Sequence, residues 1–263
     1  MIDIHAHFYT ARSGRPDWKA LNRRRLEVGD RIGIAVHVAS ILGTWGRESP
    51  TYFPSPDDVR HANDAMLEMA ADSGGRIRAW CVVNPNHPAR AVEEIERAAE
   101  GGAVGLKLAA SRRCTDPLLD PVIEAAHQRE WPVLHHVWQR RRREWPGQEA
   151  SDAVELGILA RRHPRVRFIL AHIAGGGDWS HSLRAVADLG NVYVDLSGSG
   201  ADAGMVDAVL ETVGADRLVW GCDVTMGTGL ARVRELEVRL NRDDVERITS
   251  GNARALFPAG AFG

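Results

Sequence analysis

His5 and His7, in the opening run Met1-Ile2-Asp3-Ile4-His5-Ala6-His7, are the side chains best placed to do chemistry. Apolar Ile2 and Ile4 alternate with polar neighbours, the pattern of a short strand, and residues two apart on a strand project from the same face. Both imidazoles are therefore expected to point the same way at the strand's end, as two ligands of one metal ion must. Further apolar runs carry or end on a polar side chain of the same chemical kind. Lys107 lies in Gly105-Leu106-Lys107-Leu108, His135-His136 follows Pro132-Val133-Leu134, His172 follows Ala171, and Asp223 ends Trp220-Gly221-Cys222-Asp223. Alternation lets only one of His135 and His136 face inward with the others. Four histidines and one aspartate form a borderline donor set suited to zinc or a similar divalent ion. An HxH alone is too short to carry that reading, and the combination carries it.

Such residues can meet only if distant strand ends converge. Strand-like runs lie at about 2–7, 33–41, 77–84, 104–108, 132–137, 166–172, 192–196 and 218–222, apolar and β-branched as in a sheet buried on both sides. Helical patterns lie between them: one from Pro56, then 92–99, 117–129, 150–163, 181–189, 202–213 and 230–240. Asp116-Pro117 reads as an N-cap with proline in the first turn. Eight strands separated by helices predict a single, distorted (β/α)8 TIM barrel over residues 1–263, whose strand carboxyl ends form one mouth. An open doubly wound sheet would not readily bring distant strand ends to one centre. The segments 8–31 and 42–55 read as loops that select substrate, with no decodable motif.

Composition narrows the partners. Of 263 residues, 44% are hydrophobic and 26% charged, and 33 basic against 35 acidic side chains leave a net charge of -2. No global field therefore recruits nucleic acid or an anionic membrane. No apolar run has the length of a membrane span, and strand one begins at residue two, leaving no room for a signal peptide or a flanking β-sandwich domain. Cys81, Cys114 and Cys222 have no CxxC spacing and read as free thiols in a reducing compartment, so a cytoplasmic protein is expected.

The chain resembles the amidohydrolase superfamily of metal-dependent TIM-barrel enzymes, in the compact branch that includes amidohydrolase-2 proteins and related decarboxylases. The resemblance spans nearly the whole chain, through residues 2–7, 105–108, 132–136, 168–176, 191–197 and 217–223 and the tail Gly251-Asn252-Ala253-Arg254. It implies that His5, His7, His136 and Asp223 ligate metal, and that His172 either binds a second metal or hydrogen-bonds the reactive water. His135 is then packed behind its strand. Cys222, where many relatives have serine, is expected to be a buried neighbour rather than a nucleophile.

Some members of the superfamily carry a carboxylated strand-four lysine that bridges two metals, and others carry a plain lysine beside one. One divalent ion, zinc ahead of manganese, is the favoured expectation, with a second ion bridged by carboxylated Lys107 as the alternative. A Schiff-base role for Lys107 would leave the histidines unexplained. The expected activity is hydrolysis of a lactone, amide, ester or cyclic imide. Asp223 would move the proton, His172 would position the hydroxide or stabilise the oxyanion, and Lys107 would steady negative charge. Nonoxidative decarboxylation of a small aromatic or unsaturated acid is the rival, ahead of a noncatalytic ligand-binding barrel.

The partner expected is a small molecule that could be anionic, and a homo-oligomer is left open. Arg140 to Arg143, flanked by Trp138 and Trp145, reads as a solvated basic loop ahead of an anion-attracting one. Gly175-Gly176-Gly177 reads as a tight loop, and Ser197-Gly198-Ser199-Gly200 as a turn or an oxyanion contact. His61, His87, His127, His163 and His181 are expected at the surface or in packing.

Overall fold

The apolar runs form eight parallel strands: β1 (Ile2–His7), β2 (Val36–Ser40), β3 (Ile77–Val83), β4 (Gly105–Leu108), β5 (Val133–His135), β6 (Phe168–Leu170), β7 (Val192–Asp195) and β8 (Leu218–Val219). They pair in chain order in one eight-stranded sheet. The Ile4 N–H donates to the Trp220 carbonyl (3.1 Å) and the Asp223 N–H to the His5 carbonyl (2.6 Å), which brings the last strand back to the first. The protein is a (β/α)8 barrel, as the strand count predicts. This computed structural model describes residues 1–41, 54–109, 111–137, 151–175, 178–200 and 202–263. The arginine run with Trp138 and Trp145, most of the 42–55 segment, and Gly176 and Gly177 lie outside the described residues.

Alternation along the strands sorts two cores. Ile2, Ile4, Val36, Val38, Leu134, Ile169 and Val219 cluster inside the barrel. Val133, Phe168, Leu170, Val192, Val194 and Leu218 belong to the larger cluster between sheet and helices. The register of β1 against β2 shifts between Asp3 and Ala6. Such a shift lets the chain carry Ile4 and then His5 inward while Asp3 and Ala6 face outward. Inward alternation also gives Lys107, His136 and Asp195, each above the apolar interior.

The helices are α1 (Trp18–Ile32), α2 (Pro56–Asp72), α3 (Pro88–Glu100), α4 (Asp120–Gln128), α5 (Ala153–Arg162), α6 (Trp179–Val186), α7 (Met205–Val213), α8 (Met226–Arg239), α9 (Arg242–Glu246) and α10 (Asn252–Leu256). Ser55 and Asp58 form a capping box at the start of α2. The Asp116 carboxylate accepts the Leu118 N–H to start the 3-10 turn Pro117–Leu119 ahead of α4, as its sequence signal predicts. One expectation is corrected: residues 8–31 are not simply a loop, because α1 occupies most of the segment. Its fully buried residues are Arg25 and Gly29, while its apolar Leu26 and Ile32 are only partly buried against the core. No helix among the described residues is long and apolar enough to cross a membrane.

Candidate active site

Strand ends put the predicted side chains around one centre. Donor atoms of His5, His172 and Asp223 all lie within 4.8 Å of one another. The His5 and His172 rings are 4.6 Å apart, centroid to centroid, those of His136 and His172 are 4.7 Å apart, and those of His5 and His7 are 5.3 Å apart. A cavity of about 190 Å³ opens against His136, His172 and Asp223, with Val137, Gly175, Gly198 and Ser199 as its other walls. Ser199 and Gly198 thus lie where the sequence allowed an approach to substrate.

Two site residues depend on backbone that L-residues seldom adopt. His172 has φ 59° and Asp223 φ 55°. Ile169 and Ala171 face the interior, so continued alternation would send His172 outward. The left-handed turn accompanies its entry into the site, where Nε2 lies 2.9 Å from His136 Nδ1 and Nδ1 lies 3.4 Å from an Asp223 oxygen. Such conformations cost about 1–3 kcal/mol and gather at functional sites. Gly221 is needed for close approach, since a Cβ there would sit 2.7 Å from His5 Cβ and 3.0 Å from Asp195 Oδ1.

The partners of the β1 histidines decide which ring nitrogen faces the centre. His7 Nδ1 lies 3.1 Å from the Ser40 carbonyl, which can only accept, so Nδ1–H donates there. Nε2 is left facing Asp223 Oδ1 at 3.2 Å. In His5, Nδ1 lies 2.7 Å from Asp195 Oδ2, and Nε2 lies 2.8 Å from Lys107 Nζ. Both rings present Nε2 inward, held by acceptors on the far side, as ligating histidines are. An imidazole lone pair against a carboxylate oxygen is an arrangement a cation reconciles. Tetrahedral bonds of ~2.0–2.2 Å set ligand atoms ~3.3–3.6 Å apart, close to the spacing of His7 and Asp223. The donor set fits a divalent ion.

Charge supports the fit. Burial, and then the Lys107 charge, hold His5 well below the usual imidazole range. Burial, and then the neighbouring His172, do the same for His136. His172 is pushed down to about 3, by burial and then by His5. These are the neutral rings a metal needs. Burial alone would raise the Asp223 carboxyl, but its contact with His7 and the adjoining imidazoles outweigh it and hold it well below the usual carboxylate range. Lys107 is fully buried, and burial lowers its amine to about 8 against the opposing pull of Asp223 and Asp195.

His135 packs behind β5 as expected, with Nδ1 3.0 Å from the His136 carbonyl and Nε2 3.1 Å from Cys114 Sγ. Cys81, Cys114 and Cys222 are buried free thiols. Burial pushes Cys114 up to about 12 and Cys222 higher still, which suits an inert neighbour rather than a nucleophile. His61 is exposed, and His163 pairs with Asp120 at 2.8 Å on the helical layer.

Asp195, Asp3 and His37 were missed by sequence reasoning, and Ser197, read as part of a turn or an oxyanion contact, instead meets Asp195 and His5. Asp195 ends β7 and holds His5, and Ser197 Oγ lies 2.5 Å from Asp195 Oδ2 and 3.1 Å from His5 Nδ1. Burial raises Asp195 to about 6 against the hydrogen bond from Ser197. A carboxylate closing an apolar strand was the available signal, the same one that marks Asp223. Asp3 and His37 pair at 2.9 Å on the outer side of β1 and β2.

Burial would raise the Asp3 carboxyl, but the His37 hydrogen bond, the Arg25 and His37 charges and the Cys222 N–H hold it at about 2. The folded pKa lies below the unfolded value of 3.8, so the stabilisation is present above that value and is lost as pH falls toward 2. It amounts to roughly 2 kcal/mol. Urea unfolding at stepped pH is expected to show wild type losing its advantage over Asp3→Asn across that window.

A parallel barrel with imidazoles and a carboxylate converging at its C-terminal mouth has the architecture of a barrel enzyme with a metal centre. The chain belongs to the amidohydrolase family, whose family model matches residues 2–259. No curated protein matches it. Among solved structures it is similar to 2,6-dihydroxybenzoate decarboxylase from Rhizobium, at 18% identity over 97% of each chain with TM-score 0.74. It is also similar to 5-carboxyvanillate decarboxylase from Novosphingobium aromaticivorans complexed with manganese and 4-hydroxy-3-methoxy-5-nitrobenzoic acid, at 15% identity over 94% of this chain and 84% of that one, TM-score 0.65. A third is a probable 2-pyrone-4,6-dicarboxylic acid hydrolase from Acinetobacter baumannii with citric acid bound, at 15% identity over 97% and 98% of the chains, TM-score 0.65. At these identities the likeness establishes the fold.

Proposed function

We propose that the protein is a metal-dependent hydrolase of a small carbonyl compound bearing an anionic group. The observation that carries this reading is the convergence of His5, His172 and Asp223 donors within 4.8 Å, with His7 and His136 against them. His5, His7, His136 and Asp223 would hold one divalent ion, zinc ahead of manganese, and His172 stands beside it. A bound ion would supply a water acidified toward neutrality and a Lewis acid for the carbonyl.

The chain's own groups do the rest. Asp223 Oδ2 accepts a proton from the attacking water and returns it to the leaving group, while His172 Nδ1, 3.4 Å away, orients that carboxylate. The Lys107 ammonium, sealed from solvent beside His5, steadies charge developing on the substrate oxygen. Exclusion of water from Lys107 and Asp195 strengthens each of these interactions.

Nonoxidative decarboxylation of a small aromatic or unsaturated acid is the second reading, favoured by the same His172–Asp223 pair, which can relay a proton from water to the carbon that loses carbon dioxide. The two decarboxylases among the similar structures and the pyrone hydrolase share this fold, so the assay must separate them. Metal-reconstituted protein is offered lactones, amides and aromatic acids, with released carbon dioxide and released acid measured side by side. Acid release without carbon dioxide is the expected result, and carbon dioxide release would transfer the assignment to the second reading.

Lys107→Ala tests the number of ions. With one ion, metal content is expected to stay unchanged while kcat/KM falls about tenfold, the weight of one lost charge-assisted contact. Loss of one metal equivalent, partly restored by a short carboxylic acid, would show a carboxylated bridging lysine instead.

A further inference from the structure

Outside the mouth, one buried charged group that the chemistry does not use is the Arg25 guanidinium. It projects from α1, whose only other fully buried residue is Gly29, and is 8% exposed. Nη2 donates to Asp3 Oδ2 at 2.9 Å and Nη1 donates to the Asp223 backbone carbonyl at 2.8 Å. Asp3 Oδ2 also meets His37 Nδ1, while Oδ1 accepts the N–H of His5 (3.2 Å) and of Cys222 (2.9 Å). One arginine and one carboxylate therefore grip the backbone of β1 at His5 and of the β8 end at Cys222 and Asp223.

We propose that Arg25 is a positioning residue for the metal centre: through Asp3 it sets His5, and directly it holds Asp223 in its left-handed turn. The inference deepens the metal-site reading above and rests on it. A planar fork can reach a carboxylate and a carbonyl at once, whereas an ammonium is a point charge without that geometry. α1 must lie close for the fork to arrive, and Gly29 permits it, since a Cβ there would sit 2.6 Å from His37 Nε2. Groups behind metal ligands typically tune affinity by 10–100-fold.

The test compares full-length wild type, Arg25→Lys and Arg25→Ala, loading zinc against a chromophoric chelator and cobalt for its visible spectrum. Arg25→Lys keeps a positive charge beside Asp3, and its folding is checked by circular dichroism. It is expected to bind zinc about tenfold more weakly and to show an altered cobalt spectrum. A cavity of about 300 Å³ lined by Arg25, His7, Val28, Val224 and Met226 adjoins the guanidinium. Millimolar guanidinium is therefore expected to restore zinc affinity to Arg25→Ala. Unchanged affinity and spectrum in folded Arg25→Lys would overturn the proposal, whether or not Arg25→Ala folds.

Wild type binding no metal would sink the metal-site reading by itself. The positioning claim is then decided by ring nitrogen NMR of the metal-free proteins, where His5 and His7 signals shifted in Arg25→Lys uphold it and unmoved signals overturn it.

Discussion

Asp223→Asn is expected to lower kcat/KM by roughly three orders of magnitude, the middle of the range for a positioned proton-transfer group. Stability should barely change. Asparagine is among the few residues that tolerate the left-handed backbone found at this position, and the carboxylate is partly exposed at the mouth rather than in a packed layer. The amide can still meet His7, its NH2 donating to the Nε2 lone pair, but it has no proton affinity with which to activate water. Thermal unfolding and metal content, measured beside kinetics, separate loss of the proton role from loss of the ion. Near-normal turnover would move that role to His172, the adjoining imidazole.

A His5→Ala, His7→Ala double variant is expected to remain folded and to lose both metal and turnover. The two rings stand above the apolar interior formed by Ile2, Ile4, Val38, Leu134, Ile169 and Val219, so their removal leaves that packing in place. Asp195, Ser197 and Lys107 lose their shared partner, and a fall of several degrees in Tm should accompany the change. Retention of a full metal equivalent by this variant would mean that the ion sits elsewhere.

Much of the barrel could be read from the chain because eight β-branched runs alternate with helical patterns, and the period-two rule then aims Lys107 and His136 inward. The same rule explains why His135 packs outward. It fails at His172: continued alternation would place that ring outside, and only the structure shows the left-handed turn that accompanies its inward position. The α1 helix escaped notice because its fully buried positions are Arg25 and Gly29, and a buried arginine looks like a solvated one in sequence. Asp3, His37 and Asp195 escaped for a related reason. Each works by pairing with another polar group on a neighbouring element, as Asp3 does with Arg25, and no spacing within one segment encodes such pairings.

The account stands most directly on the metal content of the purified, full-length chain. Elemental analysis is expected to find about one divalent ion per chain, with activity that falls on dialysis against a chelator and returns on adding zinc or manganese. No bound metal, together with turnover indifferent to chelators, would contradict it.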